Sequence, residues 1–267
     1  MIIIGEKING FIPKTLKAIE DKDADYIRTL AKGQEEAGAD YLDICAGTIP
    51  DSEMETMVWL IELAQEASSL PLCLDSSNTQ ILLDCIPLCK KPGLVNSVSM
   101  EGDKTEVIFP AIAGTGWGVI ALTCNNDGIP DDPPTKLIIA RQIIAQAREH
   151  GIADNRLFID PLVTTLATKQ DSLQNFVEGI RVIHEEFPEV HFTSGLSNIS
   201  FGMPYRKAIN MQFLSLAMAA GMDSAILDPL SADMQAAIHA TNALLGNDEY
   251  CMEYLTAYRK GLFPVKP

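Results

Sequence analysis

The sequence predicts an α/β fold, a (β/α)8 TIM barrel formed by one domain that spans residues 1–267. Short apolar runs alternate with longer amphipathic segments eight times along the chain. The apolar runs suit parallel strands buried on both faces, and the longer segments repeat with helical period. Eight such units in about 250 residues fit a closed barrel. No Gly-x-Gly-x-x-Gly follows the first run, which argues against an open dinucleotide-binding sheet.

The predicted strands are short and mostly continuous in hydrophobicity. They are Ile2–Gly5, Tyr41–Cys45, Leu72–Asp75, Val95–Ser97, Gly118–Leu122, Leu157–Asp160, His191–Ser194 and Ser224–Leu227. In a barrel of this kind the carboxyl ends of the strands meet at one face, and the loops at that face carry the chemistry.

The predicted helices fill the gaps between the strands. They are Asp25–Ala37, Ser52–Ala67, Thr79–Cys89, Lys104–Ala113, Thr135–His150, Gln170–Phe187, Tyr205–Ala220 and Asp233–Leu245, with an extra C-terminal helix at Glu249–Lys260. Gly38 and Gly221 fall just past two of these helices, where a left-handed residue commonly ends a helix. In the seventh helix Ile209, Phe213 and Leu216 form an apolar stripe, which we assign to the core.

Composition and charge exclude several classes of function. The net charge of −16 argues against a nucleic-acid partner, because binding to phosphates needs a basic face. No stretch approaches the roughly 20 apolar residues of a membrane span, and the N-terminus has no secretory signal pattern, so we expect a cytoplasmic protein. Six cysteines without a Cys-x-x-Cys pair and four histidines without a His-x-x-x-His pair predict no bound metal.

Carboxylates and carboxamides stand at the carboxyl ends of the predicted strands. This acid–amide set consists of Glu6, Asn9, Asp43, Asp75, Asn96, Asn125, Asp160 and Asn198. Any one member could be a helix cap or an Asx turn, which Asp and Asn favour. The set taken together, with no histidine in it and Lys7 as its sole neighbouring lysine, indicates a binding site for a neutral heterocycle rich in N–H groups, such as a pterin.

Two other kinds of barrel enzyme fit the sequence less well. A class I aldolase would need a lysine on a strand, and none is predicted there. A metal-dependent enolase or hydrolase would need a tight cluster of ligands. Asp43, Asp75 and Asp160 could hold a divalent ion, so the metal enzyme stays open as a minority alternative.

Eight motifs, in order along nearly the whole chain, carry a resemblance to a known family. They are IIIGEKING (2–10), YLDICAG (41–47), LCLDSSN (72–78), VNSVS (95–99), LTCNNDGIP (122–130), FIDPL (158–162), GLSNISFG (195–202) and AAGMDSAI (219–226). The chain resembles the pterin-binding methyltransferases that move a methyl group between tetrahydrofolate and a corrinoid protein, which are related to the folate domain of cobalamin-dependent methionine synthase. The resemblance implies a TIM barrel with a pterin pocket at the carboxyl ends of the strands.

The resemblance also implies roles for residues of this chain. Asp75, Asn96 and Asp160 would hydrogen-bond the pterin, and Asn198 would lie near its N5 atom. Gly195, Phe201 and Arg206 would line the same pocket.

Two positions depart from the acetogenic branch of the family. Cys45 and Phe201 stand where that branch tends to have asparagine and glutamine. The Ser-Phe-Gly pattern is closer to methionine synthase and to demethylating systems.

The expected mechanism follows from the substrate. A tertiary amine at N5 leaves poorly unless it is protonated, and the Asn198 oxygen could accept a hydrogen bond from N5–H without acting as a base. Asp43 or Asp160 would assist through water, and solvent would supply the proton. Cobalamin would arrive on a separate corrinoid protein, because the Asp-x-His-x-x-Gly binding pattern is absent, and the resemblance implies a homodimer. A dihydropteroate-synthase-like enzyme and a non-catalytic folate-binding protein remain the alternatives.

Overall fold

The computed structural model describes residues 1–47 and 50–264, with the side chains of residues 50 and 51 excepted. Eight strands form one parallel sheet in the order β7-β6-β5-β4-β3-β2-β1-β8. They are β1 (Ile2–Asn9), β2 (Tyr41–Cys45), β3 (Leu72–Asp75), β4 (Leu94–Met100), β5 (Gly118–Asn125), β6 (Leu157–Asp160), β7 (His191–Phe192) and β8 (Ser224–Leu227). The two outer strands meet where the Ile226 N–H donates to the Ser194 carbonyl at 2.9 Å, which brings the sheet round into a barrel. The predicted TIM barrel is confirmed.

Helices cover the outside of the sheet. They are α1 (Pro13–Glu20), α2 (Ala24–Glu36), α3 (Pro50–Ala67), α4 (Thr79–Cys85), α5 (Lys104–Ile112), α6 (Pro133–Glu149), α7 (Ser172–Glu186), α8 (Arg206–Ala219), α9 (Ala232–Leu244) and α10 (Met252–Arg259). Gly38 and Gly221 have positive φ angles of 87° and 114° just past α2 and α8, as predicted.

Several boundaries differ from the predicted ones for physical reasons. The helix predicted to reach Cys89 ends at Cys85, and a 3₁₀ turn follows, because Pro87 has no N–H to continue the α-helical hydrogen bonds. The sequence analysis missed α1, which is only eight residues long and begins with Pro13. The first strand runs four residues beyond the predicted end at Gly5, through an irregularity in its pairing with β2 between Gly5 and Ile8.

The core has two parts. A large apolar layer fills the space between the sheet and the helices, and a smaller cluster fills the barrel itself. We call the smaller cluster the apolar plug; it consists of Ile4, Cys73, Leu94, Ile120 and Phe158. Each of these side chains comes from a different strand and is at most 4% exposed. The plug therefore closes the barrel from below and leaves its upper end, at the carboxyl ends of the strands, as the open face.

Candidate active site

The strand period places polar side chains directly above the apolar plug. Successive side chains of a strand point to opposite faces, so the residue two positions after each plug residue also points into the barrel. Four of these positions are polar, and we call them the polar layer: Glu6, Asp75, Asn96 and Asp160. Asp75 pairs in register with Asn96 on one side and with Cys45 on the other. The structure thus brings together the three residues predicted to bind the pterin, and Glu6 beside them.

A second carboxyl lies below Asp75, deeper in the barrel. Asp43 is 1% exposed, pairs in register with the plug residue Cys73, and has one buried oxygen, Oδ1, without a hydrogen-bond partner among the described residues. Burial raises the pKa of Asp43 well above its usual range, and the charge of Asp75 adds to this rise. Hydrogen bonding by the side chains of Cys73 and Asn96 acts to lower the pKa of Asp43. Asp43 therefore favours its neutral, protonated form.

Asp75 is less strongly perturbed than Asp43. Burial raises its pKa to about 6, the nearby thiol of Cys45 lowers it and the charge of Glu53 raises it. The same surroundings raise the pKa of the Cys45 thiol, so Cys45 stays protonated beside the carboxylate. At neutral pH Asp75 is thus mostly ionised and available to accept hydrogen bonds.

Asp160 is held by the loop that follows its own strand. Its Oδ1 accepts a hydrogen bond from the Leu162 N–H at 2.7 Å. Burial raises the pKa of Asp160 to about 6, while the N–H groups of Leu162 and Gly195 and the charge of Lys136 oppose that rise. Two backbone donors and a nearby cation therefore keep most of this carboxyl ionised at neutral pH, although it is only 6% exposed.

Lys136 is a residue that the sequence analysis missed. It lies on α6, is 2% exposed, and donates from Nζ to the Leu162 carbonyl at 3.2 Å. Burial lowers its pKa to about 8, and the charge of Asp160 opposes the shift. The Leu162 carbonyl thus accepts a hydrogen bond from Lys136, and the Leu162 N–H donates one to Asp160. The sequence gives no sign of this lysine, because one cation near the start of an amphipathic helix usually lies in solvent.

The segment 195–202 forms a 3₁₀ turn, Leu196–Ser200, between β7 and α8. Asn198 is exposed on this turn, and its carboxamide lies over Gly195: a Cβ at that glycine would come within 3.0 Å of Nδ2. Gly195 therefore gives room for the asparagine and directs its N–H to Asp160. Gly195 thus lies beside both Asn198, the residue predicted to act at N5, and Asp160 of the polar layer.

Arg206 fixes the far side of this turn. Its Nε donates to Ser200 Oγ at 3.0 Å, and its Nη2 donates to the Ser197 carbonyl at 2.7 Å. The guanidinium also lies 5.9 Å from the centre of the Phe201 ring, which is 69% exposed. Both residues therefore lie beside the turn that carries Asn198; that they line a pterin pocket stays a prediction.

A cavity of about 430 Å³ opens between β1, β8 and the start of α8. Its lining includes Glu6, Lys7, Ser197, Arg206 and Asp228. Lys7 and Asp228 form an ion pair of 3.0 Å across it. Asp228 is not among the predicted site residues, although it follows β8 directly, much as Asp75 and Asp160 stand at the ends of their strands.

Two members of the acid–amide set shape loops. The Asn9 side-chain oxygen accepts from the Phe11 N–H at 2.8 Å, and that of Asn125 accepts from the Asp127 N–H at 2.9 Å. Both are Asx turns, the alternative that their residue type favours. Among the described residues, no group of three or more His, Cys, Asp or Glu side chains is arranged to hold a metal ion.

A family model described as a pterin-binding enzyme matches residues 14–228. A methylcorrinoid:tetrahydrofolate methyltransferase of Eubacterium limosum is 51% identical over 263 residues, which are 98% of this chain and 97% of that protein. The chain belongs to the pterin-binding enzymes. Within them it belongs with the methyltransferases related to the Eubacterium limosum protein, and the resemblance found from the eight motifs is confirmed.

More distant relatives share the domain or the fold. Methionine synthases of Mycobacterium tuberculosis (strain ATCC 25618 / H37Rv) and Mycobacterium leprae (strain TN) are 32% and 30% identical over 240 residues, which are 85% of this chain and 20% of each synthase. A dihydropteroate synthase from Xanthomonas albilineans, solved with 7,8-dihydropteroate, aligns with a TM-score of 0.65 at 19% identity, covering 91% of this chain and 92% of that one. The dihydropteroate synthase of Yersinia pestis aligns with a TM-score of 0.64 at 17% identity, covering 92% and 93% of the two chains. At these identities the synthase structures show a shared barrel fold.

Proposed function

We propose that this methyltransferase moves a methyl group between N5 of tetrahydrofolate and the cobalt of a corrinoid carried by a separate protein. The observation that carries the proposal is three members of the polar layer: Asp75 and Asp160, with pKa values of about 6, and the amide of Asn96 point into the barrel above the apolar plug. A flat heterocycle with several N–H groups fits such a floor, because ionised carboxylates accept N–H donors and a carboxamide can both donate and accept. The E. limosum relative, which is 51% identical over nearly the whole chain, is named for the same pair of substrates.

In the proposed complex, Asp75, Asn96 and Asp160 hold the pterin from within the barrel. Asp160 offers the oxygen lone pairs that the N–H groups of Leu162 and Gly195 leave free, and Asp75 offers those not used by Cys45. Charge-assisted hydrogen bonds of this kind are worth about 1.5–3 kcal/mol each. They would fix the pterin plane and direct its N5 edge toward one side of the open face.

Asn198 then acts at N5, where the reaction changes the charge. Protonation of methyltetrahydrofolate places positive charge on N5, and the electron pair that N5 keeps as the methyl group leaves neutralises it. In the reverse direction, methylation of tetrahydrofolate is followed by loss of a proton from N5. A fixed dipole aimed at a developing charge is worth about 2.7–4 kcal/mol in comparable enzymes. Asn198 is suited to this role because it is exposed at the open face, and Gly195 links its turn to Asp160. Phe201 and Arg206 would line the approach to the same edge.

The corrinoid partner would dock at the open face, where Phe201 and Tyr205 are 69% and 79% exposed. Among the described residues no helix is long and apolar enough to cross a membrane. We place the reaction in the cytoplasm, with a separate corrinoid protein as the partner and no nucleic acid.

The chain is further proposed to form a homodimer through the outer faces of α7 and α8. An apolar groove of about 420 Å³ runs between them, lined among others by Leu166, Leu173, Ile209 and Leu216. The apolar stripe of α8 that we assigned to the core is buried only in part, because Leu216 is 50% exposed while Phe213 is 3% exposed. Light scattering on the purified protein tests this: the wild type should be dimeric and Leu216→Glu monomeric, and a monomeric wild type would refute it.

The function is tested by assaying both directions with free corrinoids. Methyltetrahydrofolate with cob(I)alamin should give methylcobalamin, and tetrahydrofolate with methylcobalamin should give methyltetrahydrofolate. A non-catalytic folate-binding protein would bind the folate in calorimetry and transfer no methyl group in either assay. That result would overturn the proposed function and leave the pterin pocket intact.

A further inference from the structure

We propose that the Glu6 carboxyl exchanges the proton with N5 during methyl transfer, directly or through one water molecule. The proposal rests on the proposed function and goes beyond it, because the reaction needs a proton carrier that the pterin-binding residues do not supply. Asn198 does not titrate, and both Asp75 and Asp160 are expected to be engaged by the pterin.

The position of Glu6 connects the two halves of the site. It stands two residues after the plug residue Ile4 and belongs to the polar layer. It also lines the cavity that Ser197 and Arg206 line, next to the turn that carries Asn198. Its charge contributes to the high pKa of Asp43 at the floor of the barrel. Glu6 is therefore a member of the polar layer that also lines the cavity beside the Asn198 turn.

The groups that face Glu6 keep it close to half-protonated at neutral pH. Burial raises its pKa to about 7, together with the charge of Asp228 beyond β8, while Lys7 on β1 and Arg206 on α8 oppose the rise. The Asp43 carboxyl on β2, which favours its neutral form, faces Glu6 from below. Among the described residues no N–H or O–H group donates to the Glu6 carboxyl. By contrast, Asp160 already accepts the Leu162 N–H at 2.7 Å and has the Gly195 N–H nearby, so Glu6 is the acid most free to gain and lose a proton.

The proton balance requires such a group in both directions. When cobalt(I) attacks the methyl carbon of methyltetrahydrofolate, a carbon–cobalt bond forms, the N5–carbon bond breaks and its electron pair stays on N5. The proton from Glu6 reaches N5 before or as this bond breaks and forms the N5–H bond of tetrahydrofolate, which leaves Glu6 as the carboxylate. In the reverse reaction the carbon–cobalt bond breaks with its electron pair left on cobalt(I), N5 bonds the methyl group, and the N5 proton passes to the Glu6 carboxylate. A group with a pKa near the working pH serves both directions.

The two directions should therefore depend on pH in opposite ways. Transfer to cob(I)alamin needs protonated Glu6, so its rate should fall as the pH rises through about 7. Transfer from methylcobalamin needs the carboxylate, so its rate should rise over the same interval. Wild-type rates measured in both directions from pH 5.5 to pH 8.5, at saturating folate, give this profile.

The deciding variant is Glu6→Gln, with Glu189→Gln as the matched control. Glu189 is exposed on the loop before β7, at the opposite end of the barrel. We expect Glu6→Gln to lower both rates about 100-fold, to remove the pH dependence near 7 and to leave the folate dissociation constant within about threefold. Unchanged folate binding also shows that the variant folds. If Glu6→Gln keeps its rate within threefold, or keeps the wild-type pH profile, the role of Glu6 is wrong while the methyltransferase activity stands.

A second variant shifts the proton carrier without removing it. Asp228 raises the pKa of Glu6, so Asp228→Asn should move the midpoint of both pH profiles toward acid while activity persists. A midpoint that stays in place in an active Asp228→Asn enzyme would assign the profile to another group and overturn the proposal. A wild type that is inactive in both directions would instead refute the proposed function itself.

Discussion

The two ends of the barrel use the same types of side chain in opposite ways. At the lower end His191 pairs with Asp223 at 2.6 Å and stacks on Phe158 at 4.6 Å between ring centres. Arg156 donates to the backbone carbonyls of Trp117 and Ile112. At the upper end, Asp43 has an unpartnered oxygen and Glu6 receives no donor among the described residues. His191 and Arg156 thus have partners within the protein, whereas Asp43 Oδ1 and the Glu6 carboxyl have none among the described residues.

This difference separates stability from binding within one fold. A buried carboxyl without partners costs free energy in the ligand-free protein, because its ionised form has lost water without gaining hydrogen bonds. The pKa values of Glu6, Asp75 and Asp160, raised to between about 6 and about 7, show that cost at the open face. Hydrogen bonds from the N–H groups of a bound folate would recover this free energy. Changes above the plug should therefore alter binding and catalysis, and changes below it should alter stability alone.

The largest effect is expected at Asn198. Asn198→Ala should lower methyl transfer about 100- to 1,000-fold, because it removes the dipole proposed to act on N5. The melting temperature should not move, since this side chain is exposed. Asn247→Ala is the matched control, an exposed asparagine just beyond α9 at the other end of the barrel. Turnover of Asn198→Ala within about twofold of wild type would show that the role is wrong.

A smaller, pH-dependent effect is expected at Lys136. Its charge lowers the pKa of Asp160, so Lys136→Met should raise that pKa and leave less carboxylate to bind folate. We expect affinity at pH 6.5 to fall several-fold, about the effect of one pKa unit, and to approach wild type at pH 8. Calorimetry at both pH values measures this, with Lys32→Met on the exposed face of α2 as control.

The loss of folate affinity in Asp160→Asn is the reference with which the loss in Lys136→Met is compared. This substitution of Asp160 should weaken folate binding by about 10-fold or more at pH 8, where the wild-type carboxyl is ionised, because the carboxylate is lost altogether. An Asp160→Asn protein with an unchanged dissociation constant would remove Asp160 from the pocket. A Lys136→Met protein whose loss of affinity is equal at pH 6.5 and pH 8 would indicate a packing defect, since a charge effect must fade as Asp160 ionises.

The sequence predicted most of the barrel because strand and helix periods are local properties. It also located Asp75 and Asp160, which each end a short apolar strand, and Asn96, which lies within β4. It could not predict which acids are partnered, because this depends on contacts between distant segments. Lys136 reaches Leu162, 26 residues away, and Asn125 bonds within its own turn. That residues 1–267 form a single domain, and that the selected residues bind folate, stay predictions.

Asp43 provides a test in which loss of charge should stabilise the protein. Its folded-state pKa is raised, so the folded protein binds a proton that the unfolded chain has released, and stability falls as the pH rises above about 4. Asp43→Asn removes that titration. We expect its free energy of unfolding to exceed that of wild type by roughly 1–3 kcal/mol at pH 8 and the gain to shrink toward pH 5. Denaturant unfolding at the two pH values measures this, and a destabilised variant at pH 8 would contradict it.

The smallest effect is expected below the plug, at Asp223, which accepts the Phe192 N–H at 2.8 Å as well as pairing with His191. The hydrogen bond and charge of Asp223 raise the pKa of His191, although burial opposes them. This stabilisation is fully present below the ordinary histidine pKa of about 6.5 and is lost as the pH rises through the higher folded-state value. Asp223→Asn should therefore lower the free energy of unfolding by no more than about 1 kcal/mol at pH 5.5, and by less at pH 8.5, because the pair is partly exposed.

Methyl transfer by the Asp223→Asn protein should stay at the wild-type rate. A loss of methyl transfer in a folded Asp223→Asn protein would show that the lower end also contributes to the reaction, and the division between the two ends would fail.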